Sequence, residues 1–581
     1  MFRGRRRYRT RDIAPDEIFL DSTNLPDMEA SQFEGRVERP VSRHAIFGVA
    51  VAFLVIVSIF SGRAFLLQIA KGSTYAEISR NNTLESWPLF AERGLIFDRT
   101  GKLLAWNEAQ SVASTTAEVN ESTEALLLQA TTTPYALRRY SEDPGFSVLL
   151  GFLRYPKTDK TGSWWRTEYS GISGIELAFD ERLAGENGST MIERDAHRRI
   201  IQQNITTPPV HGDELHLSID ADVQTKLYQI LSEHARKNRF VGGAAVIMDV
   251  KTGELLAITS FPEYSNQAFT DGDTVAIKEA SNSVSTPMLN RAVAGLYTPG
   301  SIVKPILAAA ALNEGIISPE KQILSIGAIT IPNPYNPDLP SIYRDWTVHG
   351  WVDMRTAIAV SSDEYFYTIG GGHGGQTGLG IARIDDYARR FGLGTTTGIV
   401  LGGERGGTIP TPEWKEEVFG KDEPWRLGNT YHTAIGQFGF QITALQAVRF
   451  TGAIANGGKL LTPLLLASST PKHRLVGIPD QHLQVVREGM RLAVTTDRSD
   501  ATARALNING IDIAGKTGTA QIGARNESMN SWAIGFWPTE KPRYAFAVVL
   551  EKAPAGTLSG AAPGMNAFFY WLIQNHPEYV K

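Results

Sequence analysis

The chain has 581 residues, 42% hydrophobic and 20% charged, a length that suits about two to four domains and a composition typical of folded protein. A formal net charge of −4 gives no reason to expect a nucleic-acid partner. Cysteine is absent, which excludes disulfides, thiolate nucleophiles and cysteine-ligated metal and fits a protein that folds outside the cytoplasm.

Residues 1–43 are polar and mixed in charge, and are expected to form a mostly disordered cytoplasmic tail. From Ala45 to Gly62 an uncharged run, AIFGVAVAFLVIVSIFSG, is long enough to cross a bilayer. It lies too far from the start, and lacks the small-residue site, for a cleaved signal peptide. Arg3, Arg5, Arg6, Arg7, Arg9 and Arg11 precede it, so the positive-inside bias predicts a single-pass protein of the cytoplasmic membrane. Its N-terminus would be inside and its large body outside. Residues 44–70 are assigned to the span and a helical stalk, 71–215 to a mixed membrane-proximal domain, and 216–581 to a second domain.

Within these, Arg93–Asn107 alternates apolar and polar residues around Thr100-Gly101, the pattern of a hairpin. An amphipathic helix is predicted from Asp222 to Arg236, then two strands, AAVIMDV and ELLAITS, joined at Lys251–Gly253. Helices follow at about 302–314, 355–370 and 380–391. Strands return around Asp512–Gln521, Ser531–Phe536 and Arg543–Leu550, with a closing helix at about 561–575. Strands, helices, then strands imply an α+β fold with an antiparallel sheet.

Three motifs carry the chemistry. Ser301-Ile302-Val303-Lys304 follows Pro299-Gly300 and opens an apolar helix, placing a hydroxyl at a helix N-terminus and an amine one turn later on the same face. A serine needs an adjacent base, and a lysine serves if burial and nearby positive charge lower its pKa. The other S-x-x-K strings, at Ser318–Lys321 and Ser469–Lys472, contain proline and sit in polar surroundings. The second motif is Ser361-Ser362-Asp363, where a hydroxyl could relay protons and Asp363 could position it. The third is Lys516-Thr517-Gly518-Thr519 in the strand-like run IDIAGKTGTAQI. Here Gly518 is expected to leave room for a ligand's backbone. K-T-G recurs at Lys160 and Lys251, but in a polar loop and a turn.

Two other patterns are set aside. Gly370-x-Gly372-x-x-Gly375 follows a helix and lacks the βαβ frame of a dinucleotide site, so it is taken as a turn. Asp345 and His349 are too few ligands for a metal, and no cofactor is expected.

Taken in order, the trio matches the serine penicillin-recognising enzymes. From about residue 45 onward the chain resembles class B penicillin-binding proteins, most closely the elongation-type penicillin-binding protein 2 branch. RGLIFDRTG (93–101) and SGIELAFDERLAG (173–185) resemble the family's pedestal motifs, and AAVIMDVKTGELLAITSFPEY (244–264) the start of its transpeptidase domain. Asp363, Tyr343-Arg344-Asp345-Trp346 and Pro410-Thr411-Pro412-Glu413-Trp414 are similar to the elongation type.

The resemblance implies a membrane-anchored, penicillin-sensitive peptidoglycan D,D-transpeptidase with a pedestal at 71–215 and a transpeptidase domain at 216–581. Ser301 would be the nucleophile and Lys304 its general base, with Ser361 and Asp363 in support. Lys516 would help keep Lys304 neutral, and Lys516, Thr517 and Thr519 would hold the substrate carboxylate. Backbone N–H groups of Ser301 and Thr519 would form the oxyanion hole. Implied partners are stem peptides, β-lactams, a SEDS-family glycosyltransferase and other elongation-complex proteins. The competing readings are a D,D-carboxypeptidase or β-lactamase, and a non-enzymatic penicillin sensor or scaffold.

Overall fold

A computed structural model of the chain describes residues 42–108, 134–160, 162–194, 200–333, 336 and 338–581. The expected tail lies outside them, apart from its last two residues. So does part of the expected pedestal.

The described residues fall into two compact units: residues up to 85 with 193–202, and 86–192 with 203–581. In the first, Ser42 caps helix α1 (Arg43–Phe65), its Oγ accepting from Ala45 N at 3.2 Å. Helical structure continues to Ala70, 28 residues in all, roughly 40 Å at the α-helical rise and longer than a bilayer's hydrocarbon core. Apolar side chains cover every face of α1, and none is buried. The helix is long and apolar enough to cross a membrane.

In the second unit the predicted hairpin forms as β1 (Ile96–Phe97) and β2 (Leu103–Glu108), joined to β3 (Leu137–Tyr140) and, in parallel to β1, to β4 (Leu215–His216). Asp98 closes the turn: Oδ1 accepts from Thr100 N and Lys102 N, each at 2.8 Å. Its Oδ2 accepts from Ala221 N, the first residue of helix α2 (Ala221–Lys237), so one carboxylate ties hairpin to helix.

Below this turn lies a buried charge cluster. Arg93 Nε is 2.5 Å and Arg138 Nε 2.8 Å from the two oxygens of Glu176, and Arg93 also reaches Asp180 at 2.6 Å. Arg93, Arg138 and Glu176 have no exposed side-chain surface. Burial works to raise the Glu176 carboxyl, but Arg138 and Arg93 outweigh it and hold it below its ordinary value. The two segments that resemble pedestal motifs are thus held together by an arginine from one and two carboxylates from the other.

The sheet that organises the C-terminal part contains β5 (Gly242–Asp249), β6 (Leu255–Phe261), β7 (Ala514–Ile522), β8 (Ser528–Trp537) and β9 (Tyr544–Pro554), in the order β6-β5-β9-β8-β7. All neighbours are antiparallel, as expected. Its strands read as nearly unbroken apolar runs because both faces are covered. Ala244, Val246 and Met248 join one buried cluster, and the alternating Ala245 and Ile247 join the other.

Helices around this sheet include α3 (Lys304–Asn313), α4 (Met354–Val360), α5 (Asp363–Gly371), α6 (Ala444–Ala455), α7 (Asp480–Thr495) and α8 (Ala561–Asn575). The helix predicted at about 380–391 forms at Ile381–Arg390. Helices α2 and α8 pack on one sheet face through Leu227, Leu231, Met565 and Phe568. Helix α6, buried throughout, packs on the other.

Candidate active site

Ser301 lies in a 3-10 turn, Gly300–Val303, that runs into α3. Pro305 occupies the first turn of α3, where its missing N–H costs little. Gly300, at φ +56°, is wedged against β7: a Cβ there would meet the Thr519 carbonyl oxygen at 2.7 Å. Gly518 faces the same turn from the strand. A Cβ on it would lie 2.8 Å from Pro299 O and 2.9 Å from a methyl of Ile302. The room on the Cβ side of Gly518 is therefore filled by the turn carrying Ser301, while Gly518 itself lines the cleft.

The single helix predicted at 355–370 is two. Ser361 ends α4 in the left-handed region, at φ 59°, and Ser362 caps α5 through its Oγ, which accepts from Tyr365 N at 3.3 Å. The break brings both the carbonyl and the hydroxyl of Ser361 to Lys304, at 2.7 and 3.2 Å from Nζ. Asp363 Oδ1 accepts from the same ammonium at 2.6 Å, and the Phe366 ring lies 5.4 Å away. From the opposite side Lys516, on β7, donates to Ser361 Oγ at 2.8 Å and to Thr517 O at 2.7 Å. One hydroxyl thus accepts from two buried amines, leaving its own proton available to a ligand.

Electrostatics separates the two lysines. Lys304 is ion-paired with Asp363. Among the described residues Lys516 has no carboxylate contact. Burial, reinforced by the charge of Lys304, pushes Lys516 well below its ordinary pKa. Burial also raises the Asp363 carboxyl, against the pull of Lys304. Lys516 is therefore the amine driven toward neutrality, while Lys304 sits beside a carboxyl with raised proton affinity. Among the described residues Ser301 Oγ has no hydrogen-bond partner, so the nucleophile–base contact expected from the spacing is not made in this conformation.

These groups border a cleft of about 670 Å³ lined by Ser301, Ser361, Asp363 and the Thr517–Thr519 segment. Thr519 is exposed, Thr517 half-buried, and Lys516 and Gly518 buried, the alternation of a strand. All eight site residues singled out in the sequence lie in this region. Two further walls, Ser499–Ala505 and Thr557–Pro563, carry no motif or periodicity that marks them in the sequence. Thr517 Oγ1 donates to Thr502 O at 3.3 Å, joining the first wall to β7. Trp346 also lines the cleft, and only its place in the Tyr343–Trp346 string marked it.

The decoys fall elsewhere. Lys251–Gly253 is the β5–β6 turn, Lys321 N donates to Ser318 O in a surface turn, and Ser469–Lys472 is loop. Gly370 sits in the last turn of α5, and Gly372–Gly375 follow the helix as a turn.

The chain matches the penicillin binding protein transpeptidase domain over residues 243–570, more than half its length, and the penicillin-binding protein dimerisation domain over 112–217. It belongs to the penicillin-binding protein transpeptidase family. Its relatives narrow this further. It is 28% identical to the peptidoglycan D,D-transpeptidase MrdA of Haemophilus influenzae, covering 96% of each chain. It is similar to the Helicobacter pylori penicillin-binding protein PBP2 solved in complex with MreC, with 25% identity, a TM-score of 0.69, and 85% of this chain and 99% of that one covered. A chain from a peptidoglycan synthase complex coordinating polymerization and crosslinking matches at 26% identity and TM-score 0.68, covering 92% of this chain and 99% of that one.

Proposed function

We propose that this chain is an elongation-type peptidoglycan D,D-transpeptidase acting through an acyl-enzyme on Ser301. The observation that carries the reading is the Ser361 hydroxyl shared by Lys304 and Lys516 beside Ser301 in one cleft.

Ser301 Oγ attacks the carbonyl between the two terminal D-alanines of a stem peptide. Lys304 takes the serine proton as general base. Backbone N–H groups of Ser301 and Thr519 hold the oxyanion, each worth roughly 3–4 kcal/mol in the transition state. The C–N bond then breaks, and a proton delivered through Ser361 leaves with the D-alanine amine. An amine of a neighbouring stem attacks the ester, gives up its proton by the same route, and releases Ser301 with a new peptide cross-link. Thr517 and Thr519 hold the substrate carboxylate, with Lys516 behind them. A β-lactam acylates the same serine.

The arginine-rich start and the helix Arg43–Ala70 support a single-pass anchor with the catalytic part outside the membrane. In this reading residues 1–43 are the tail, 71–215 the pedestal and 216–581 the transpeptidase domain. The likeness to chains solved with MreC and within a synthase complex supports a place in the elongation machinery beside a SEDS-family glycosyltransferase.

Labelled penicillin should modify Ser301 alone, and Ser301→Ala should abolish labelling. Label persisting in that variant would overturn the assignment. With stem-peptide substrates a cross-linked dimer is expected, and release of D-alanine alone would favour a carboxypeptidase.

A further inference from the structure

Behind the cleft, His349 lies between two carboxylates from distant parts of the chain. Its side chain is wholly buried, with Nδ1 2.8 Å from Asp500 Oδ2 and Nε2 3.5 Å from Asp345 Oδ1. The Trp346 ring meets it edge-on at 5.1 Å.

Each carboxylate holds a piece of the active site. Asp345 Oδ2 accepts from Ser362 Oγ at 2.8 Å and from Glu364 N at 2.9 Å, fixing the start of α5 where Asp363 stands. Asp500 lies in the wall segment whose residues Ser499, Ala501 and Thr502 line the cleft.

The charges call for a cation at His349. Arg498 pairs with Asp500 through Nε at 2.9 Å and a terminal nitrogen at 2.7 Å, and also donates to His349 O at 3.0 Å. Among the described residues Asp345 has no lysine or arginine ion pair. Asp345 also accepts from Trp346 N at 2.8 Å and feels the charge of Lys304, which is itself paired with Asp363. An imidazolium therefore supplies the cation nearest to Asp345 and balances Asp345 and Asp500 together with Arg498.

We propose that His349, held as an imidazolium between Asp345 and Asp500, is a positioning residue that locks the Ser361–Asp363 turn to the 499–502 wall. Loss of its proton loosens the site. The inference rests on the transpeptidase reading only in using Ser301 acylation as its readout.

Burial alone would lower the pKa of the imidazole, but the nearby charge of Asp345 and the hydrogen-bonded Asp500 outweigh burial and hold it above its ordinary value. A raised folded-state pKa places the sign. The lock is complete below the ordinary value of about 6.5 and is lost as pH rises through the higher value in the fold.

The test is the second-order rate of Ser301 acylation by a fluorescent penicillin, on the full chain in detergent, from about pH 6 to about pH 9. The wild-type rate should carry an alkaline limb of about tenfold, the scale of one coupled charge contact. His349→Gln should lack that limb and stay at the low plateau throughout, although any limb from the lysines remains. Asp500→Asn keeps the imidazole but removes one carboxylate, and should shift the limb toward acid. A His349→Gln profile within about twofold of wild type at every pH would overturn the proposal. So would an Asp500→Asn profile that does not move, and that variant decides alone if His349→Gln fails to fold. Wild-type chain that takes no label at any pH would strike the transpeptidase reading itself and this inference with it.

Discussion

Two buried charge clusters in this molecule have the same inventory and opposite behaviour. Toward the N-terminal end of the second unit Arg93 and Arg138 enclose Glu176, and in the cleft Lys304 and Lys516 flank Ser361 and Asp363. Each puts two basic side chains around one carboxylate. The first is built from guanidiniums, which keep their protons, and both of its arginines reach the carboxylate. The second is built from amines that can lose a proton, and only one reaches the carboxylate, with a hydroxyl bridging to the other. A charge cluster thus becomes a fixed joint or a proton-transfer device according to cation type and the equality of its pairing.

Making the cleft cluster resemble the other should have the largest effect. Lys516→Arg installs a cation that stays charged, and penicillin acylation should fall by about 10²–10⁴, the range of a lost acid–base group, with the fold intact by circular dichroism. Next is Glu176→Gln, which takes the shared carboxylate from both guanidiniums and leaves Asp180 as the charged partner of Arg93. Unfolding in denaturant should show a loss of about 3–5 kcal/mol.

The same variant sharpens the comparison by pH. Because the folded Glu176 carboxyl is held below its ordinary value, its contribution is present above the ordinary carboxylate range and disappears as pH falls through the folded value. The stability gap between wild type and Glu176→Gln should therefore close in acid. Arg93→Lys should do least. A lysine cannot match contacts to Glu176 Oε2, Glu176 O and Asp180 together, for a cost of about 1–3 kcal/mol. Equal stability in that variant would show that the joint needs charge and not a fork.

Much of this arrangement was legible in the sequence. The span, the hairpin at Thr100-Gly101, the strands β5–β9 and the trio of motifs each have a local signal: hydropathy, a turn pair, an apolar run or a fixed spacing. The misses have physical reasons. The break at Ser361 carries no glycine, the residue that normally announces a left-handed helix end, so α4 and α5 read as one helix. Helix α6 is buried on every side and shows no polar face for periodicity to reveal. The Asp500 partner of His349 lies far along the chain in a segment without motif or period. The missing side chain of Gly518 is evident in the sequence, but not that the Ser301 turn packs against that side of the strand.

Ser361 ends α4, and its left-handed φ of 59° carries a liability. Glycine adopts that conformation freely, whereas a residue with a Cβ gives up about 1–3 kcal/mol to stay there. Ser361→Gly should consequently melt at a higher temperature than the parent while acylating far more slowly, because it trades the bridging hydroxyl for backbone ease. The protein is less durable at this one position than its fold allows, and the shortfall is where its reactivity resides.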